Sequence, residues 1–479
     1  MLNQSRIVPF WLFTISVINI LIISQLLQDG AFMDGMLYVS VSKNLALGYG
    51  SFWNLNFSKT FLSSFHEQPP LYFGLLAMFY KILGTSMYVE RLFCFICFAI
   101  NAFFIHKLWK KIYALNSSIA SHSWLPILFW TTIPVCFWAY INHVEETVMS
   151  VFTIASVYYL YSALFLKEKM WQYILLGGFF IFLASLTKGL QGLFPLTAIG
   201  TYWLMTKKIS FKKMIMYTFL LLSVSIICYG LLIVINPNVY ISYQKYFETR
   251  LIRTFNNVGS TTANRFELLI VLFQELLPIA LITFLILFFT KKFKANDFKH
   301  TDQTKAIFWF FLIGLSGALP LMVTLEQRGF YLVTTMPFFA IAIAMILAPR
   351  LTTLTNKINI ETKGYKISCV IAIALLIFSL IYSSLQINNY KRDESLLKDI
   401  YAIGKIVPQN DIINIPYDMS NDWGIICYFE RYFDISLEYR KTTSSYFIIR
   451  KNLSKSLVPL NYKLCSLKTD ELDLYKFSK

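Results

Sequence analysis

Asp34–Gly50 reads DGMLYVSVSKNLALGYG, and shortly after it His66–Phe73 reads HEQPPLYF. Asp34, Leu37, Tyr38, Val41 and Leu45 fall on one helical face, and Gly48 ends the pattern as a C-terminal cap. A carboxylate thus continues an apolar stripe, and a Pro-Pro step leads from it into the apolar run Pro69–Leu83. How that run is read decides the fold. It is short for a membrane span, opens on Pro69-Pro70 and carries Lys81 just before Gly84. If it crossed the bilayer, Lys107, Lys110 and Lys111 would lie opposite the later lysine clusters. If it lies in the interface, every strongly basic loop falls on one side: Lys107–Lys111, Lys167–Lys169, Lys207–Lys213, Lys291–Lys305 and Arg350–Lys366. The tendency of basic loops to stay cytoplasmic selects the interfacial reading and roughly eleven true spans.

Composition agrees with that class. Of 479 residues 56% are hydrophobic and only 14% charged, and mean hydropathy is +0.55. Such a chain is an integral membrane protein. The formal net charge of +17 resides largely in short loops between apolar runs, which removes nucleic acid as a partner. The first apolar segment, Pro9–Leu27, is longer than a signal-peptide core and lacks a small-residue cleavage site, so it is expected to remain as an uncleaved first helix. The fold class expected is an all-α polytopic bundle with interfacial helices, covering 1–387 with an outer first loop at 28–90. A small α/β exterior domain is expected at 388–479, where polar residues interleave with short β-rich runs. The N-terminus would be cytoplasmic and the C-terminal domain outside, in the inner (cytoplasmic) membrane. Cys427 and Cys465 fall in that domain, and an oxidising compartment would allow them to pair.

The outer loops carry the candidate chemistry. Asp34 reads either as the N-cap of its helix or as a general base held at the membrane edge, its pKa raised by apolar neighbours. The loop NHVEE, Asn142–Glu146, reads either as a solvated turn whose acids favour the next helix N-terminus or as a second acidic site facing the same side. Outward cations run against the charge bias: Arg91, Lys188 in the LTKG turn, Arg250, Arg253 and Arg265, and Arg328 in EQRGFYLVTTMPF. Singly each fits lipid headgroup contact. Several beside carboxylates point to an anionic ligand, and for one approached from the bilayer that is a phosphate on a lipid tail.

Taken in order, Asp34 with Tyr38 four positions on, Gly48, Pro69-Pro70 after Glu67, Arg91 after Gly84-Thr85-Ser86, Glu145-Glu146, the LTKG turn and the late RGFYL…MPF span carry a resemblance. The chain resembles the GT-C superfamily of polyprenyl-phosphate-sugar-dependent glycosyltransferases, specifically the bacterial relatives of protein O-mannosyltransferases and lipid A aminoarabinose transferases. The resemblance covers Met1 to Leu347. It implies that Asp34 is the first-loop catalytic acid and Glu146 or Glu145 the second-loop acid. It also implies that Arg91, Lys188 and Arg328 meet the donor phosphate and that Tyr38, His66, Glu67, Gln68 and His143 line the substrate site. Immediately before the proline step, aminoarabinose transferases place a lysine and protein mannosyltransferases a histidine; this chain has Gln68, with His66 two residues earlier.

The activity so implied is transfer of a sugar from a polyprenyl-phosphate donor to an acceptor hydroxyl on a lipid, glycan or protein, by in-line attack and with inversion. The donor already has a good leaving group, so the enzyme needs a base for the acceptor and cations for the phosphate. No cofactor is required; a divalent metal could assist, although no ligand set of recognisable spacing demands one. The rival readings are a transporter or flippase and a polymerase or ligase of lipid-linked glycans. Spans almost free of charge, with Glu275 the exception, favour the enzyme over a transporter. Membrane lipids are the remaining partner expected.

Overall fold

The computed structural model describes residues 2–256, 258–290, 302–441 and 444–478. Most of the basic loop Lys291–Lys305 lies outside the described residues. Among those described, nine helices are long and apolar enough to cross a membrane, or ten if one bent pair is a single span. The bundle begins with α1 (Ser5–Leu26), followed by two shorter helices, α2 (Met33–Leu47) and α3 (Leu71–Leu83), and by the span α4 (Met87–Ile112).

The bent pair is α5 (Ser117–Thr132) and α6 (Pro134–Ile141), which meet at 74°. Pro134 causes the break: it holds Ile133 extended (φ −66°, ψ 122°) and supplies no N–H of its own. The next free amide, Val135 N–H, donates to Glu275 Oε2 at 2.7 Å. Glu275, an acid inside an otherwise apolar span, is therefore the cap of a broken helix.

One of the nine candidates, Met170–Thr206, is 37 residues long and doubles back. Its first arm, α8 (Met170–Lys188), follows α7 (Glu146–Leu164) and ends at Gly189 (φ 68°, ψ −138°), a conformation that glycine adopts readily. A 3₁₀ stretch, Gly189–Thr197, then returns along α8, so close that Gly192 has no room for a Cβ against the Ala184 backbone, and continues as α9 (Ala198–Thr206). The next span, α10 (Phe211–Ile235), runs parallel to α8: Trp171 packs on Tyr217, Gly178 on Val224 and Phe182 on Tyr229. Two parallel neighbours need a return between them. Counting both arms separately gives eleven apolar segments, the number of spans expected.

After α11 (Asn238–Tyr246) the bundle closes with α12 (Glu267–Phe289), α13 (Asp302–Ala318), α14 (Met336–Asn356) and α15 (Lys363–Leu385). Within Pro69–Leu83 the helix α3 is 13 residues long, shorter than the spans, as the reading that keeps it in the interface expects. Near its start α3 sends the Tyr72 hydroxyl to the His143 carbonyl (2.8 Å), and near its end Tyr80 donates to Glu90 (2.8 Å) at the start of α4. Both ends of α3 therefore touch one side of the bundle, the face that carries the site described below.

The chain after α15 also sits on that face. It holds α16 (Glu394–Gly404), α17 (Trp423–Phe433) and a five-stranded sheet in the order β2-β1-β3-β5-β4. β1 (Ile412–Asn414) runs parallel to both β2 (Ser436–Glu438) and β3 (Tyr446–Arg450), whereas β5 (Leu472–Phe477) is antiparallel to β3 and to β4 (Tyr462–Leu464). Cys427 and Cys465 are free thiols. α17 lies on α2, fixed by Lys43–Asp434 (2.7 Å) and by the Tyr428 hydroxyl donating to the Ala31 carbonyl (3.0 Å), and Arg431–Glu90 (2.7 Å) ties it to the start of α4. On its other side α2 meets the loop after α6: the Phe32 amide donates to Asn142 Oδ1 (2.8 Å), and Gly35 touches the Asn142 carbonyl with no space for a side chain. Those contacts set Asp34 beside the Glu145-Glu146 pair.

Candidate active site

Glu145 and Glu146 open α7, and Lys188 closes α8, each at the helix end whose dipole favours its charge. Lys188 Nζ lies 3.0 Å from Glu145 and 2.6 Å from Glu146. Both glutamates are fully buried and Lys188 nearly so. Burial raises the Glu145 carboxyl, with Lys188 opposing. Glu145 Oε2 and Glu146 Oε2 have no hydrogen-bond partner among the described residues, so one cation serves two carboxylates and acceptor capacity is left over. The Lys188 ammonium also stands 5.1 Å from the ring centre of Tyr331, a cation–π distance.

Asp34 does not cap α2. The cap position is Phe32, in extended conformation, and Asp34 sits in the first turn. Its half-buried carboxylate makes no hydrogen bond or ion pair among the described residues. Burial raises its pKa; Lys188, Arg328 and Arg250 pull it down and Glu326 pushes it up, which places those four groups around it. Arg328 is exposed and likewise unpaired among the described residues. Arg250 is held by Glu326 (2.5 Å), which also accepts from Thr254 (3.0 Å). Glu67 faces the same ring: burial raises it, Arg250 and Arg253 lower it, and Asp34 and Glu326 raise it further. Tyr38, one turn after Asp34, is raised by burial and by Glu145 and Asp34.

Asp34, Tyr38, Glu67, Glu145, Glu146, Lys188 and Arg328 therefore come together as the sequence suggested. Others do not. Arg91 is drawn away by Asp29 (3.2 Å), which also accepts from Tyr401 (2.7 Å) and Tyr432 (2.6 Å) under the C-terminal sheet region. His66 joins Asn54 (3.1 Å) to Ser242 (3.4 Å), and burial together with Lys245 lowers its pKa to about 4. His143, at φ 58°, turns inward to Cys94 Sγ (3.2 Å); burial, Lys391, Arg91 and Arg431 hold it well below the usual histidine range. Both imidazoles are neutral at pH 7, so neither supplies the cation missing at Gln68, which is buried without a side-chain hydrogen bond among the described residues. Sequence reasoning counted Arg250 among outward cations without assigning it to the site, and it missed Glu326. The signal for Glu326 was its place two residues before Arg328 in an outer loop otherwise short of acids. Among the described residues no group of three or more His, Cys, Asp or Glu is placed to hold a metal ion.

Residues 67–233 match the sequence model of the dolichyl-phosphate-mannose-protein mannosyltransferase family. That window includes Glu67, Glu145, Glu146 and Lys188 and begins after Asp34. In three dimensions the chain is similar to ArnT from Cupriavidus metallidurans bound to undecaprenyl phosphate, with 12% identity, a TM-score of 0.66 and 97% of each chain covered. It is also similar to the apo state of that protein, with 10% identity, a TM-score of 0.64 and 95% of each chain covered. The chain has a GT-C fold. The resemblance to the GT-C superfamily thus stands on both the family match and the architecture. No curated protein matches its sequence.

Proposed function

We propose that this protein is a glycosyltransferase that moves a sugar from a polyprenyl-phosphate donor to an acceptor hydroxyl at the outer face of the cytoplasmic membrane, with inversion. The observation that carries the reading is Asp34: a partly buried carboxylate of raised pKa, without a partner of its own, facing Lys188, Arg250 and Arg328. In the reaction Asp34 takes the proton of the acceptor hydroxyl. The freed oxygen attacks the anomeric carbon, the bond from that carbon to the phosphate oxygen breaks, and the bonding pair leaves with the polyprenyl phosphate. Arg328 and Arg250 meet the charge that develops on the phosphate, with Lys188 behind them. Three side-chain cations fill that role, so the reading calls for no divalent metal.

The isoprenoid chain has a place to lie. A groove of about 550 Å³ between α12, α13 and α14 is lined by Leu269, Leu272, Phe273, Leu276, Phe339 and Ile343, among others. Its outer end begins where the Leu268 amide donates to Gln327 (3.0 Å), the residue between Glu326 and Arg328. The lysine-rich loops lie on the opposite face, which supports a cytoplasmic assignment for that side and an exterior one for the site.

Asp34→Asn tests the reading. The substitution keeps the shape of the side chain and removes the base, so sugar transfer from a polyprenyl-phosphate donor is expected to fall about 10²–10⁴-fold. Melting temperature and donor affinity should stay close to those of the unaltered protein. Turnover within a few-fold of normal would remove Asp34 from the reaction.

A further inference from the structure

A cavity on the face opposite the candidate active site has no part in the chemistry above. It measures about 900 Å³ and is bounded by α1, α5, α12, α14 and α15, within the size range of about 300–1,000 Å³ typical of ligand sites. Its walls are sorted by depth. Phe13, Leu128, Ile282, Ile286, Ile371 and Leu375 line the part within the hydrocarbon, whereas Arg6, Lys357, Asn359, Thr362 and Tyr365 cluster at the inner mouth. Among the described residues no carboxylate lines it. The acid of the adjoining loop, Glu361, is directed to Lys366 (3.8 Å). Lys357 is exposed and forms no ion pair among the described residues, so it brings positive charge to the mouth.

The gap between α12 and α15 faces lipid, because only 17% of the apolar window of each helix is buried in the protein. We infer that this cavity is a binding site for an anionic phospholipid of the leaflet opposite the active site. Its acyl chains fill the slot between α12 and α15, and its phosphate meets Arg6 and Lys357. A neutral headgroup gains nothing from two cations at the mouth, and a soluble anion gains nothing from the apolar slot. Held there, the lipid braces α1, which leads into Asp34's helix, against α15, which leads into the C-terminal sheet region. Those two helices already touch through the Asn19 side-chain amide and the Ser379 hydroxyl (3.2 Å).

The test uses the full chain purified in detergent and titrated with phosphatidylglycerol or with phosphatidylcholine of matched acyl chains, read by native mass spectrometry and by melting temperature. Phosphatidylglycerol is expected to bind about tenfold more tightly and to raise the melting temperature more. An Arg6→Gln/Lys357→Gln variant should lose that preference while keeping the melting temperature of the lipid-free protein. Lys357→Gln alone, at an exposed position, keeps the test decisive if the double variant does not fold, and it should lose part of the preference. Ile371→Trp, which fills the slot, should weaken both lipids. Equal binding of the two lipids, a preference unchanged in Lys357→Gln, or an equal response to inorganic phosphate would overturn the assignment, as would saturation by a polyprenyl phosphate that phosphatidylglycerol cannot displace.

Discussion

Asp34 is tuned by groups that belong to three other parts of the chain. Arg328 is one of the cations that lower its pKa. Because a general base works only when ionised, activity falls as the pH drops through the pKa of Asp34. Removing a cation raises that pKa, so Arg328→Gln should move the acid limb of the pH–rate profile to higher pH as well as weaken donor use. An unshifted limb would separate Arg328 from Asp34. Lys188 has a different burden, since it is the counter-charge of two carboxylates with no exposed surface. Lys188→Met strands both, and losing one partner of a buried ion pair costs about 3–5 kcal/mol. Carboxyls stranded in an apolar setting have raised folded-state pKa values, so they favour the fold when protonated and that contribution is lost as pH rises. The destabilisation read by thermal melting should therefore be largest at neutral pH and shrink toward pH values below the ordinary carboxylate range. A loss independent of pH would mean that Lys188 matters for packing alone.

At the scale of elements, the position of α2 is set from above and from below. α17 presses on it from the C-terminal sheet region, and the Asn142–Glu145 loop holds it from the bundle side. Beside that contact Arg431 on α17 and Glu90 at the start of α4, each 3% exposed and joined at 2.7 Å, tie the C-terminal region to the bundle. Arg431→Ala leaves Glu90 buried without its partner and should cost about 3–5 kcal/mol. Limited proteolysis is expected to release the chain after Leu385 more readily in that variant. Pairing it with Glu90→Gln should recover much of the loss, because the uncompensated charge is then gone. Equal proteolysis rates in the variant and the parent protein would show that the ion pair does not hold the docking. Within the bundle, the Gly189 turn places Lys188 at the apex of the α8–α9 hairpin, where α7 begins.

For the whole molecule, sidedness is the claim with the widest reach. In a background with Cys228, Cys369 and Cys465 changed to serine, single cysteines at Asn54 and Asn421 should react with an impermeant reagent on intact spheroplasts, and one at Lys208 should not. Labelling at Lys208 would invert the assignment. The internal geometry already requires Asn54 and Asn421 to agree, because Lys59 and Thr60, in the same first loop, bond to Asn410, Ser436 and Leu437. The apolar spans, the short Pro69–Leu83 run and the grouping of Asp34, Glu145, Glu146, Lys188 and Arg328 were legible from sequence, since hydropathy, proline and lysine placement are local signals that a bilayer sorts one segment at a time. The pairings were not. Lys188 finds Glu145 across 43 positions and Arg250 finds Glu326 across 76. Asp29 takes Arg91 from the phosphate role that its position suggested, and Cys94 turns His143 from the site. No periodicity encodes which of several outward cations meets which acid. That choice depends on where the bent α5–α6 pair, the doubled-back α8–α9 hairpin and the docked α17 bring their ends, so only the packed structure decides it.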